Sequence, residues 1–113
     1  MRILIALCTL CAVVLTFVNF GTEDGKQTYT VELRLQDHVF YPSQVHVPAG
    51  QAIKLIVENA DELADEFESN ELNREKLLPP KTKTIVMLKP LKKGRYAFVA
   101  EFHGKEPGVI IAE

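Results

Sequence analysis

Polar and apolar residues alternate along most of this chain with a period of two. In Tyr29-Thr-Val-Glu-Leu-Arg-Leu-Gln36, Val31, Leu33 and Leu35 fall on one side and Glu32 and Arg34 on the other. That spacing predicts a half-buried strand. Phe40 to Val47 continues in extended form, with Val45 and Val47 facing inward and His46 outward. Pro48-Ala-Gly50 predicts a turn. Alternation resumes at Ala52 and runs to Val57 through Ile53, Leu55 and Val57. Thr82 to Leu88 predicts a further strand, stopped by Pro90. Gly94-Arg-Tyr96 opens a penultimate strand, and Val109 to Ala112 forms the last, after Gly108. Short strands punctuated by Gly and Pro, without a long helical period, predict an all-β, antiparallel Greek-key sandwich. Leu91-x-x-Gly94-x-Tyr96 has the form of a tyrosine corner, in which the phenol bonds nearby backbone.

Two segments depart from this pattern. Arg2 is followed by an apolar or small run from Ile3 to Val18, then Asn19-Phe20. Residues 1–20 therefore read as a signal peptide or as a membrane anchor, because the run approaches the about 20 residues that cross a bilayer. Cys8 and Cys11 lie inside it without a good lipobox, so the remainder of the chain has neither disulfide nor thiolate. Residues 21–28 are polar, with two glycines, and read as a linker to a domain spanning 29–113. The second departure lies between Asn59 and Pro79. Glu58, Asp61, Glu62, Asp65, Glu66, Glu68, Glu71 and Glu75 crowd at and after its start against Arg74 and Lys76. The expectation for this stretch is a solvated loop, with a short helical turn in Glu71 to Leu78.

Composition narrows the function classes. The 113 residues carry a formal net charge of −2, so no basic field is available for nucleic acid. No Gly-rich phosphate loop and no nucleophile motif occurs. One domain of this size suffices for a small sandwich core.

Candidate chemistry concentrates in Tyr96-Ala-Phe-Val-Ala-Glu-Phe-His-Gly-Lys-Glu-Pro-Gly108. This stretch resembles the metal loop of cupredoxins, which runs Tyr-x-Phe/Tyr-x-Cys-x-x-His-x-x-Met-x-Gly. Tyr96, Phe98, His103 and Gly108 match, whereas Ala100 takes the Cys place and Glu106 the Met place. Val39-Phe40-Tyr-Pro42, Val47-Pro-Ala-Gly50 and the strand ending at Asn59 extend the resemblance over the whole domain. Glu66-Phe67 stands where the family has its first His. A blue-copper site needs a thiolate to serve both oxidation states of copper, so Ala100 contradicts an electron carrier. One imidazole among carboxylates suits Fe(II), Fe(III), Mn(II) or Cu(II) instead.

Asp65-Glu-Phe-Glu-Ser69, Leu72-Asn-Arg-Glu-Lys76, Pro90-Leu-x-x-Gly-Arg-Tyr96 and Glu101-Phe-His103 resemble one subgroup more closely. These are cupredoxin-like proteins of bacterial ferrous-iron uptake. The resemblance implies a periplasmic accessory protein, tethered to the inner membrane if residues 1–20 are retained. It would bind an iron or copper ion and serve a membrane iron permease and other periplasmic uptake components. It implies metal ligands among His103, Glu66, Glu68, Glu101 and Glu106. Glu75 is expected to pair with Arg74 or to support the ligands, and His38 and His46 to be surface residues. A ferroxidase aid and a metal-free interaction module are the alternatives.

Overall fold

The computed structural model describes residues 27–113. The apolar run and most of the linker lie outside the described residues. Nine strands form: β1 (Tyr29–Gln36), β2 (Val39–Tyr41), β3 (Gln44–Val47), β4 (Ile53–Asn59), β5 (Asp65–Ser69), β6 (Arg74–Leu78), β7 (Thr82–Leu88), β8 (Gly94–Ala100) and β9 (Gly108–Ala112). They make a four-stranded sheet, β2-β1-β4-β7, and a five-stranded sheet, β3-β9-β8-β5-β6. Among the described residues no helix occurs.

The all-β sandwich is as the alternation predicts. Val31, Leu33 and Leu35 of β1, Val45 and Val47 of β3, and Ile53, Leu55 and Val57 of β4 are all buried. The sheets are not purely antiparallel, however. β1 runs parallel to β4, and β3 runs parallel to β9. Parallel neighbours require a crossover between them. The chain supplies one by folding β2 back on β1, crossing to the other sheet with β3, and returning with β4.

The acidic segment is the larger surprise. It contains a hairpin, β5–β6, and no helical turn. Its inward positions on β5 are Asp65, Phe67 and Ser69, so only Phe67 signals a core strand. The two polar members are tolerated because each is hydrogen-bonded. Ser69 Oγ donates to Ala97 O at 2.7 Å and accepts from Leu72 N at 3.0 Å. Asp65 accepts backbone amides, as described below. β6 is an edge strand with a single buried residue, Leu78. Arg74 on that edge reaches the other sheet, donating from Nε and Nη2 to the carbonyl of Met87 at 3.0 and 2.7 Å.

Three phenylalanines fill the interior. Phe40, Phe67 and Phe98 lie with ring centroids 5.0 to 6.2 Å apart. Two contacts are edge-to-face and one is stacked, the geometries that aromatic quadrupoles favour. Phe98 also dictates Gly108, since a Cβ there would lie 2.4 Å from its ring. The tyrosine corner forms as expected, with the Tyr96 hydroxyl donating to Lys92 O at 2.7 Å. Asn59 is fully buried at the end of β4. Its Nδ2 donates to Leu63 O at 3.0 Å and Leu78 O at 2.9 Å, which fixes the course of the next loop.

Gly108→Ala is expected to destabilise the protein by about 1–3 kcal/mol, the usual cost of overpacking a close-packed core. Urea denaturation measures it, and an unchanged midpoint would show that Phe98 does not impose glycine.

Candidate functional site

One end of the sandwich is built from three loops. The first joins β1 to β2 and has only two residues, Asp37 and His38. Two-residue hairpins favour the turn with positive φ at both positions, normally Asn-Gly. Asp37 and His38 adopt φ of 53° and 67°. Left-handed backbone costs about 1–2 kcal/mol per non-glycine residue. A carboxylate offsets it. Asp61 Oδ1 accepts from Asp37 N at 2.6 Å, and Oδ2 accepts from His38 N at 2.9 Å. Asp61 is itself placed by Asn59, whose Oδ1 accepts from Asp61 N at 2.9 Å.

Asp65 does the same for the β8–β9 loop. It is buried at the start of β5. Its Oδ1 accepts from Phe102 N at 2.8 Å and from Glu66 N at 2.7 Å, and its Oδ2 accepts from His103 N at 3.2 Å. The loop then closes tightly. Gly104 N donates to Ala100 O at 2.9 Å. A Cβ on Gly104 would lie 2.4 Å from that oxygen and 2.9 Å from the Ala100 methyl. The first and third loops are also tied directly, by Lys105 N donating to His38 O at 3.2 Å.

This scaffold brings His38 beside His103. Their ring centroids are 5.4 Å apart, with planes at 46°. Phe102 flanks His103 edge-on at 6.3 Å. His38 Nδ1 lies 3.5 Å from Asp61 Oδ2. His46 is elsewhere, on β3, with Nδ1 2.6 Å from Glu113 Oε2 and Nε2 3.3 Å from Gln44 Nε2. Its outward position agrees with the alternation.

The expected carboxylates do not converge with the histidine pair into a three-ligand cluster among the described residues. Glu66 and Glu68 point outward from β5, on the face opposite to Phe67. Glu101 follows β8, and its amide donates to Glu66 O at 2.8 Å. Glu68 and Glu101 share a side-chain hydrogen bond. Glu75 stands opposite Glu68 in the β5–β6 register. Arg74 is turned to Met87 O and forms no ion pair with Glu75. Glu106 is exposed, beside Val99, Gly104 and Pro107 on a shallow depression. Among the described residues, no three His, Cys, Asp or Glu side chains converge on one metal-sized point. The structure therefore gathers Glu66, Glu68, Glu75 and Glu101 into an acidic strip, and His103 with His38 into a separate pole.

Three residues of the pole escaped the sequence reading. Asp61 and Asp65 were hidden in an acidic run that looked uniformly solvated. His38 had one available signal: Asp37-His38 separates two alternating runs by two residues, which demands a tight left-handed turn.

The fit to metals follows from the donors present. Ala100 is buried and offers a methyl group, and no cysteine lies among the described residues. A thiolate copper centre does not fit. Imidazole nitrogen and carboxylate oxygen fit divalent first-row ions with open coordination positions.

Comparison with known proteins places this geometry. The family model described as "Cupredoxin-like domain" matches residues 8–112. An uncharacterized protein of Rickettsia prowazekii (strain Madrid E) is 33% identical over 105 residues, covering 90% of this chain and 84% of that protein. The fold is similar to the metal-binding domain of the Cu(I)-exporting P-type ATPase of Streptococcus pneumoniae D39. The TM-score is 0.69 at 13% identity, covering 82% of this chain and 91% of that one. Auracyanin A, a blue copper protein of Chloroflexus aurantiacus, gives 0.64 at 14% identity, over 77% of this chain and 100% of that one. The periplasmic domain of cytochrome oxidase subunit II from Bradyrhizobium japonicum gives 0.63 at 15% identity, over 75% and 83%.

The acidic strip makes a testable electrostatic signature. The hydrogen bond from Glu101, partial burial, and the negative charges of Glu101, Glu75 and Glu66 push the Glu68 carboxyl from 4.5 up to about 7. The native carboxyl thus holds its proton more tightly than the unfolded one. Its contribution to stability is complete below about pH 4.5 and is lost as pH rises through about 7. Glu68→Gln should remove that component. The loss of stability between pH 4.5 and 7, followed by urea denaturation, should be shallower in the variant. An equal slope in both proteins would show that the strip holds no such proton.

Proposed function

This chain belongs to the cupredoxin-like family, and from that premise we propose that it is an exported metal-binding accessory protein of a bacterial iron-uptake system. It binds iron or Cu(II) through His103 at the pole, with the carboxylate strip of Glu66, Glu68 and Glu101 drawing the ion to that end of the sandwich, and supports a membrane iron permease. It is not a blue-copper electron carrier. The observation that carries the reading is the metal loop of the fold, with His103 held out at the pole by Asp65 while Ala100 fills the thiolate position. A harder donor set binds M(II) ions reversibly and has little hold on Cu(I). Reversible binding is what delivery to a transporter requires.

The neighbours support metal handling and an exported location. One is a metal-binding domain of a Cu(I) exporter, and another is a periplasmic domain of an oxidase subunit. The apolar run at residues 3–18 agrees with export. The iron assignment rests on the subgroup motifs Asp65-Glu-Phe-Glu-Ser69 and Glu101-Phe-His103 and on the carboxylate-rich strip they create. When bound, the ion supplies Lewis acidity and its own exchange chemistry. The chain supplies orientation: Asp65 holds the Phe102 and His103 amides, and Phe102 packs edge-on against the His103 ring.

Titration calorimetry with Cu(II), and with Fe(II) under anaerobic conditions, tests this. One ion per chain is expected, with affinity reduced at least about tenfold by His103→Ala, the scale of a perturbed metal site. Glu66→Ala should weaken Fe(II) more than Cu(II). No binding, or binding indifferent to both substitutions, would sink the reading and leave a metal-free docking module.

A further inference from the structure

His38 lies 65 positions before His103 in the chain, yet their ring centroids are 5.4 Å apart, with the planes tilted by 46°. We propose that His38 and His103 form a two-imidazole site for a divalent ion of the Cu(II) class, with open positions for water or a ligand from a partner. The inference rests on the metal-binding reading above and adds a ligand from the β1–β2 turn.

Four features support it. The first is conformation. His38 occupies left-handed backbone, where β-hairpins normally place glycine. Asp61 takes both amides of that turn, so the unfavourable conformation is held in place and the imidazole is aimed at the pole. Strained residues that the surroundings hold in place cluster at functional sites.

The second is orientation of the ring itself. Asp61 Oδ2 lies 3.5 Å from His38 Nδ1. A carboxylate on that side favours the Nδ1–H tautomer and leaves the Nε2 lone pair for a metal, the arrangement in which carboxylates commonly support ligating histidines. His38 keeps 28% of its side-chain surface exposed, so an ion can reach it.

The third is mutual fixation. The two turns are joined by the Lys105 N to His38 O hydrogen bond, and each is hung from a buried or nearly buried aspartate. The backbone positions that carry the two rings are therefore held relative to each other. The fourth is contrast. In His46 both ring nitrogens are already engaged, by Glu113 and Gln44. His38 has only Nδ1 near a side-chain partner, Asp61, and among the described residues no side-chain hydrogen bond is found on Nε2 of His38 or on either ring nitrogen of His103.

Two protein nitrogens with several open positions predict a Cu(II) or Zn(II) preference over Fe(II), following the imidazole affinity order. They also predict exchangeable binding. The acidic strip remains a separate feature under this assignment.

Electron paramagnetic resonance of the full chain in mild detergent, loaded with one equivalent of Cu(II), reads the ligands directly. Nitrogen hyperfine splitting from two imidazoles is expected. His38→Asn keeps a side chain that tolerates left-handed backbone, and should leave one imidazole and weaken Cu(II) at least about tenfold. His103→Ala should do the same, and His46→Gln should change neither splitting nor affinity. A wild-type spectrum with one imidazole, or two imidazoles persisting in His38→Asn, overturns the pair. If His103→Ala alone reduces binding, the pair is wrong and the metal-binding function stands. If neither pole substitution matters, both fall. Circular dichroism melts verify that each variant is folded, and a His38→Asn protein that does not fold is replaced by His38→Gly, which suits the same turn.

Discussion

Buried carboxylates are tolerable only when donors surround them, and Asp65 shows what that requirement organises. Its side chain is sealed under the β8–β9 loop and takes amides from Glu66, Phe102 and His103. To satisfy one charge, the backbone of that loop must turn its N–H groups inward. The His103 side chain is thereby directed away from the core. The tight return of Gly104 over Ala100 completes the same turn. Asp61 repeats the device one loop away, with Asn59 setting its position. The pole is thus a set of amide pairs gripped by carboxylates, and the histidines are carried by what those carboxylates hold. The aromatic cluster beneath supplies the rigid floor, since Phe67 follows Asp65 by two positions and Phe98 precedes Ala100 by two.

Much of this was legible before any coordinates. β1, β3 and β4 alternate cleanly, because each presents aliphatic residues to one core and mostly polar residues outward, whereas β7 was legible as an apolar run that buries Val86 and Leu88 and exposes Ile85 and Met87. The last two strands and the His103 loop were legible through their resemblance to a metal loop with Ala100 in the thiolate place. β5 was hidden because its inward residues are mostly polar, and hydrophobic periodicity carries no information about an aspartate or a serine satisfied by backbone. β6 was hidden because edge strands bury little. The parallel pairings were hidden because alternation reports the face of a residue and not the direction of its neighbour.

The site divides in the same way. His103 could be placed by register within one continuous motif. His38 could not, because its partnership is created by two loops distant in sequence and by the left-handed turn at Asp37-His38. The glutamates could be seen as a group but not assigned to a face. Folding sorts them: Glu66, Glu68, Glu75 and Glu101 repel one another along the outer surface of the five-stranded sheet, enough to keep a proton between them near neutrality. The charge density read as a ligand set in the sequence gathers on the outward face of β5 and around it.

The Arg74 clasp has a consequence for how this molecule behaves in company. β6 and β7 each end a sheet, and exposed sheet edges invite strands from other chains. The guanidinium already occupies the Met87 carbonyl, near the end of the run that a foreign strand would have to zip along. Such a strand would meet a fixed cation in place of a free acceptor. A protein that relied on an open edge would risk polymerising among its own copies. Here one long side chain stitches the two layers together and, by the same bonds, makes that margin of the sandwich unsociable.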